Sequence, residues 1–266
     1  MLNKTLRYEE GTIHYRITGK GPVVMLVHGF GENSDVWDGL ANALASSFRV
    51  ILPELPGSGR SSLIPDMTMS GQAEVLHGIL NQEEATKAIL IGHSMGGYIT
   101  LAFAEKYMER LQAFGLYHST AYADTEEKKA TRRKGIQFIR EHGAFEFLKT
   151  TIPNLFSTTT REKHPDIPEK QIAGLRNFSD EKLVLDYEAM IIRPDRRDVL
   201  KTSPVPILFL AGTSDNAIPL ADVLEQCHLP DLSYIHVLKQ SGHMGMLEEP
   251  EESTQIVKEF LLQQTK

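Results

Sequence analysis

Short runs of apolar or alternating residues recur along the chain, each bounded by glycine or proline, with stretches of helical periodicity between them. This pattern predicts strands over Thr12 to Thr18, Val23 to His28, Arg49 to Leu52, Ala88 to Gly92, Leu111 to Tyr117, Ile207 to Gly212 and Ser233 to Leu238. Helices are predicted over Val36 to Ser46, Ser70 to Asn81, Met95 to Tyr107, Leu220 to Cys227 and Pro250 to Gln263. Regular alternation of the two implies an α/β fold, a mostly parallel twisted sheet flanked by helices.

Between Tyr117 and Ile207 the rhythm breaks. From about Ala121 to Arg197 no strand is predicted, only charged and aromatic segments with helical spacing. We therefore expect a helical cap over residues 121–197, inserted into a core formed by residues 1–120 and 198–266. Its first helix carries Asp124, Lys128 and Arg132 on one stripe, with Ile136 and Ile139 further along. Two apolar segments, Ala144 to Leu148 and Thr151 to Phe156, either face a pocket or pack the cap on itself. On the first reading Phe145, Leu148 and Phe156 line the pocket, together with Trp37, His118 and Met244 from the core.

Composition narrows the classes. A chain of 266 residues with 41% hydrophobic content can bury one sizeable core and carry an insertion. Twenty-eight basic against 35 acidic side chains leave a net charge of −7, which gives no pull toward nucleic acid or anionic lipid. The basic run Lys128 to Lys134 follows Glu126 and Glu127 at helical neighbour spacing and reads as a solvated helix face. Cys227 is alone, so no disulfide forms within the chain, and the first ten residues lack the apolar core of a signal peptide. A cytoplasmic protein with neither nucleic-acid nor membrane partners is the expectation. The run Val23 to Val27 is too short to span a bilayer, and the sequons at Asn3 and Asn177 carry no weight without export.

The chemistry concentrates in Ala88-Ile-Leu-Ile-Gly-His-Ser-Met-Gly-Gly97, where an apolar strand runs through G-x-S-x-G into a helix. So sharp a turn leaves no room for Cβ atoms beside the serine, which accounts for Gly92 and Gly96. A serine hydroxyl needs a base within reach and a group that orients the base. Downstream, Asp215 follows a predicted strand and His243 sits on the glycine-flanked loop Gln240-Ser-Gly-His-Met-Gly245. The order Ser, Asp, His fits this arrangement, with Asp124 as an alternative acid because it too lies soon after a strand. The amides of Phe30, in Val27-His-Gly-Phe-Gly31, and of Met95 are the candidate oxyanion hole. His28 and His93 suit structural roles. The ten histidines show no H-E-x-x-H spacing and Gly57-Ser-Gly59 lacks the remainder of a phosphate loop, so neither metal nor cofactor is expected.

With these segments in place, the chain resembles the α/β-hydrolase fold family, in the group of capped esterases, lactonases and perhydrolase-like enzymes. The resemblance runs nearly end to end and rests on His28-Gly-Phe-Gly31, Leu55-Pro-Gly-Ser-Gly-Arg-Ser61, the serine elbow, Gly212-Thr-Ser-Asp-Asn-Ala-Ile-Pro219 and Ser241-Gly-His243. It implies a serine acyl hydrolase acting on a small-molecule ester, with the cap placed after the family's sixth strand. Glu54 stands where the family usually has aspartate, a departure expected to change loop hydrogen bonds and not the chemistry. Dehalogenase and epoxide-hydrolase relatives place aspartate at the elbow, where this chain has Ser94, and a mean hydropathy of −0.24 does not suggest a lipase. Lactone opening, perhydrolysis, carbon-carbon hydrolysis and a ligand-binding receptor on the same fold stay open.

Overall fold

A computed structural model describes residues 1–265. Eight strands form one sheet: β1 (Leu2–Tyr8), β2 (Gly11–Thr18), β3 (Val23–Val27), β4 (Arg49–Pro53), β5 (Ala88–His93), β6 (Leu111–Tyr117), β7 (Ile207–Gly212) and β8 (Ser233–Leu238). Their order is β1-β2-β4-β3-β5-β6-β7-β8, with β2 antiparallel to both β1 and β4 and every other pair parallel.

The period-two geometry of strands explains why the central runs are apolar throughout. Met25 and Val27 of β3 join one core and Val24 and Leu26 the other; on β7, Ile207, Phe209 and Ala211 oppose Leu208 and Leu210. Each such side chain, removed from water, stabilises the fold by about 1.5–3 kcal/mol before entropy is counted. Helices α1 (Asp38–Leu44), α2 (Met69–Gln82) and α3 (Met95–Tyr107) cover the sheet, α2 and α3 packing together on the Met25 side and α1 on the Val24 side.

All seven predicted strands overlap observed ones. The eighth, β1, was not predicted: on its half-buried side Lys4 stands in line with Leu6 and Tyr8, so no plain alternation is visible. Lys4 is held there by Glu83, 2.9 Å away.

Between β6 and β7 the described chain forms α4 (Glu126–His142), α5 (Ala144–Thr151), α6 (Thr158–Lys163), α7 (Asp166–Ala173), α8 (Asp180–Ile192) and α9 (Arg197–Lys201), with no strand. Helix α4 starts where Thr125 caps the Lys128 amide and Glu126 and Glu127 meet the helix dipole, and it ends at Gly143 with φ +85°. Helices α10 (Leu220–Leu224), α11 (Gly245–Glu248) and α12 (Pro250–Gln264) complete the chain. No helix among the described residues is long and apolar enough to cross a membrane.

Candidate active site

Ser94 lies between β5 and α3 with φ 51° and ψ −117°, a conformation that costs a non-glycine residue about 1–3 kcal/mol and persists only where its surroundings enforce it. They do. A Cβ on Gly92 would come within 2.2 Å of the Gly96 carbonyl oxygen, and one on Gly96 within 2.3 Å of the Val27 oxygen. The Ser94 N–H donates to Tyr117 O at 3.0 Å, while Ser119 Oγ donates to Ser94 O at 2.7 Å, so β6 and the residues just after it pin the turn on both sides.

Asp215, just past β7, is nearly saturated. Its Oδ1 accepts the amides of Ala217 and Ile218, both at 2.9 Å, and its Oδ2 accepts His243 Nδ1 at 2.8 Å and His118 Nδ1 at 2.9 Å. Burial alone would raise its pKa, but the His243 charge and the two imidazole hydrogen bonds outweigh that and hold the carboxyl far below the usual range. The structure therefore brings Asp215 to His243, whereas Asp124 pairs with Arg132 and Arg193. With Nδ1 on Asp215, His243 is left with Nε2 for the cavity it shares with Ser94. His118, Asp215 and His243 are close enough to suggest a metal site, yet both imidazoles aim at a single oxygen, the pattern of two donors sharing one acceptor.

The His243 loop is clamped from several sides. Glu248 accepts the Gly242 amide at 2.8 Å, Glu249 accepts Ser241 Oγ at 2.6 Å, and the His243 amide donates to Leu155 O at 2.6 Å. A second buried carboxylate, Glu32, joins the glycine loop to the elbow: it accepts the Gly29 amide at 2.6 Å and bonds His93 Nδ1 at 3.0 Å. His93 Nε2 donates to His243 O at 2.9 Å. Since His93 faces two acceptors it must carry both protons whenever Glu32 is ionised. Burial disfavours both charges, but each compensates the other, so the His93 pKa rises and that of Glu32 falls. The amides of Phe30 and Met95 meet no protein acceptor among the described residues. His28 accepts the Leu55 amide at Nε2, 3.1 Å, and Glu54 accepts Ser34 Oγ at 2.6 Å, so both serve loop architecture.

A cavity of about 620 Å³ opens over Ser94 and His243. Phe30, Tyr98, Leu155, Tyr187, Met190 and Ile218 supply its apolar wall, and Thr125, Lys128 and Arg132 present the polar face of α4 to it. None of the six side chains expected in the pocket lines it. Trp37 is fully buried beneath the site, edge-on to Tyr117. Leu148 packs against Gly31, Phe156 and Met244 are buried in the core, and Phe145 turns outward beneath Arg176. His118 is taken up by Asp215. The reason is common to most of them: large apolar groups gain more from closing the joint between insertion and sheet than from facing a solvent-filled cavity.

Fold and site together define a class, and the comparisons agree. A family model described as the alpha/beta hydrolase family matches residues 24–255, and the chain belongs to that family. Among solved structures it is similar to a thermophilic esterase from Thermogutta terrifontis with malate bound, at 32% identity, TM-score 0.93 and full coverage of both chains. The enol-lactonase from Burkholderia xenovorans LB400 shares the fold at TM-score 0.89 and 22% identity, over 97% of this chain and 100% of that one. Among curated proteins, the pimeloyl-[acyl-carrier protein] methyl ester esterase of Aeromonas salmonicida is 27% identical over 91% of this chain and 96% of its own.

Proposed function

We propose that this α/β hydrolase is a serine esterase cleaving a carboxylic ester of a small molecule through an acyl-enzyme. The observation that carries this reading is the 2.8 Å contact between Asp215 Oδ2 and His243 Nδ1, on a cavity that His243 shares with the strained Ser94. His243 Nε2 takes the hydroxyl proton as Ser94 Oγ attacks the ester carbonyl, and Asp215 holds the imidazole in the required tautomer. The Phe30 and Met95 amides bind the developing oxyanion, each contributing roughly 3 kcal/mol to barrier lowering. The alcohol leaves with the proton from His243, and a water activated by the same base releases the acid. Helices α4 to α8 act as a cap that shapes the acyl and alcohol sites. The similarity to esterases supports ester hydrolysis, and the lone thiol, Cys227, is buried, which suits a cytoplasmic setting.

The test is a time course on p-nitrophenyl esters from acetate to octanoate, with wild type and Ser94→Ala side by side. Wild-type turnover reduced by about 10³-fold or more in the variant, at unchanged thermal stability, is expected. Equal activity in the two proteins overturns the assignment.

A further inference from the structure

We propose that Arg132 recognises a carboxylate on the substrate, remote from the scissile carbonyl, so that the ester cleaved is a monoanion. This rests on the esterase reading and adds the substrate's charge to it.

The argument begins with an imbalance. Asp124, whose side chain is fully buried, receives Arg132 through Nε at 2.5 Å and Nη2 at 3.2 Å, and Arg193 through Nη1 at 2.9 Å. Two guanidinium groups thus share one carboxylate and leave a surplus positive charge. Arginine does not shed its proton in proteins, and for Arg132 the lowering effect of burial is outweighed by the Asp124 hydrogen bond and charge together with Tyr98 and Tyr187. Arg193 is occupied elsewhere: it donates to Met190 O and Tyr122 O and lies 3.9 Å from the centre of the Tyr98 ring. Arg132 alone of the pair lines the cavity over Ser94, and its Nη1 has no acceptor among the described residues.

The other charges facing this cavity do not cancel the surplus. Glu32 is matched by His93, and Lys128 and Asp222 stand 3.7 Å apart at the rim. Glu127 is exposed and solvent-screened, and burial pushes the Tyr187 hydroxyl up to about 12, so it stays neutral. The Arg132–Asp124–Arg193 trio therefore carries a net positive charge at a partly desolvated wall, which an anion bound in the cavity would neutralise. Placement fits a substrate group: Tyr187 lies 5.4 Å under the Arg132 guanidinium and stacks at 4.3 Å on Phe30, whose amide belongs to the proposed oxyanion hole. One aromatic stack therefore separates the guanidinium from the reacting carbonyl. Water would convert such an ester into a dicarboxylate, an alcohol and a proton where the charge lies on the acyl side, and into a carboxylate, a hydroxy-carboxylate and a proton where it lies on the alcohol side.

Two sets of esters test this: monomethyl succinate, glutarate and adipate carry the charge on the acyl side, and 3-acetoxybutanoate, the acetate ester of 3-hydroxybutanoate, carries it on the alcohol side. Each is compared with its fully esterified, neutral counterpart. In the wild type, kcat/KM for one anionic series should exceed its neutral counterpart by about 10-fold or more, the worth of a charge-assisted hydrogen bond. That ratio should fall to near 1 in Arg132→Gln and be partly kept in Arg132→Lys. Equal or reversed preference in the wild type, or a ratio untouched by Arg132→Gln, overturns the proposal. Glutarate binding to Ser94→Ala, measured by calorimetry, separates this from the esterase reading: binding lost on adding Arg132→Gln upholds the anion site even where no ester is turned over. Absence of glutarate binding together with absence of charge preference refutes it.

Discussion

The elbow at the end of β5 and the helical insertion after β6 obey different rules. Around Ser94 the backbone dictates the residues: Gly92 and Gly96 have main-chain oxygens where a Cβ would stand, and the strained φ of Ser94, the proposed nucleophile, is held by hydrogen bonds to its neighbours. In the insertion, helix faces decide. The apolar faces of α4 and α5 seal the joint with the core through Ile139 and Leu148, while the polar stripe of α4, with Thr125, Lys128 and Arg132, meets the cavity. On the proposed reading, chemistry is fixed by close approach of main chain, and selectivity by which side of a helix is left over after packing.

The contrast can be broken at its strongest point first. Asp215→Asn should lower kcat by about 10⁴-fold, as expected when the orienting acid of a serine triad is lost, with little change in the ester profile. A small effect would mean that the core does not own the chemistry. Next comes Phe156→Ala in the insertion, which should cost roughly 3–5 kcal/mol in urea unfolding, because this side chain is fully buried. A shifted ester preference with little loss of stability would instead restore Phe156 to the pocket wall.

The smallest effect concerns pH. In the fold His93 titrates above its ordinary 6.5 and Glu32 below its ordinary 4.5. The histidine's share of the stabilisation is complete below 6.5 and lost as pH rises through its folded pKa; the glutamate's is present above 4.5 and lost as pH falls through its own. Thermal melts of Glu32→Gln should therefore fall furthest below wild type between pH 4.5 and 6.5 and converge with it toward alkaline pH. A gap that stays the same from pH 4.5 to alkaline pH would show that the pair does not titrate as a unit.

These differences also explain what could be read from the sequence. Residues whose reason is local were legible: the strand-turn-helix around Ser94, the strand ends before Asp215 and His243, and the glycine loop holding Phe30. Residues whose reason is a distant partner were not. Glu32 looks like a solvent-facing loop acid until His93 comes to it from β5, and His118 is drawn to Asp215 by its place beside β7. The pocket wall was misjudged because helical spacing tells which residues share a face and not what that face meets. Leu148 was expected at the cavity and lies on Gly31; Tyr187, unremarked in the sequence, is stacked on Phe30.

One hydrogen bond bears on how such enzymes diversify. The amide of His243 donates to the carbonyl of Leu155, so the insertion is also part of the mounting of the proposed general base. Exchanging this segment between relatives is then not a free swap of specificity modules: a transplanted insertion has to bring a carbonyl to the same spot, and recombination that spares residues 152–157 should yield active chimeras far more often than recombination that cuts through them.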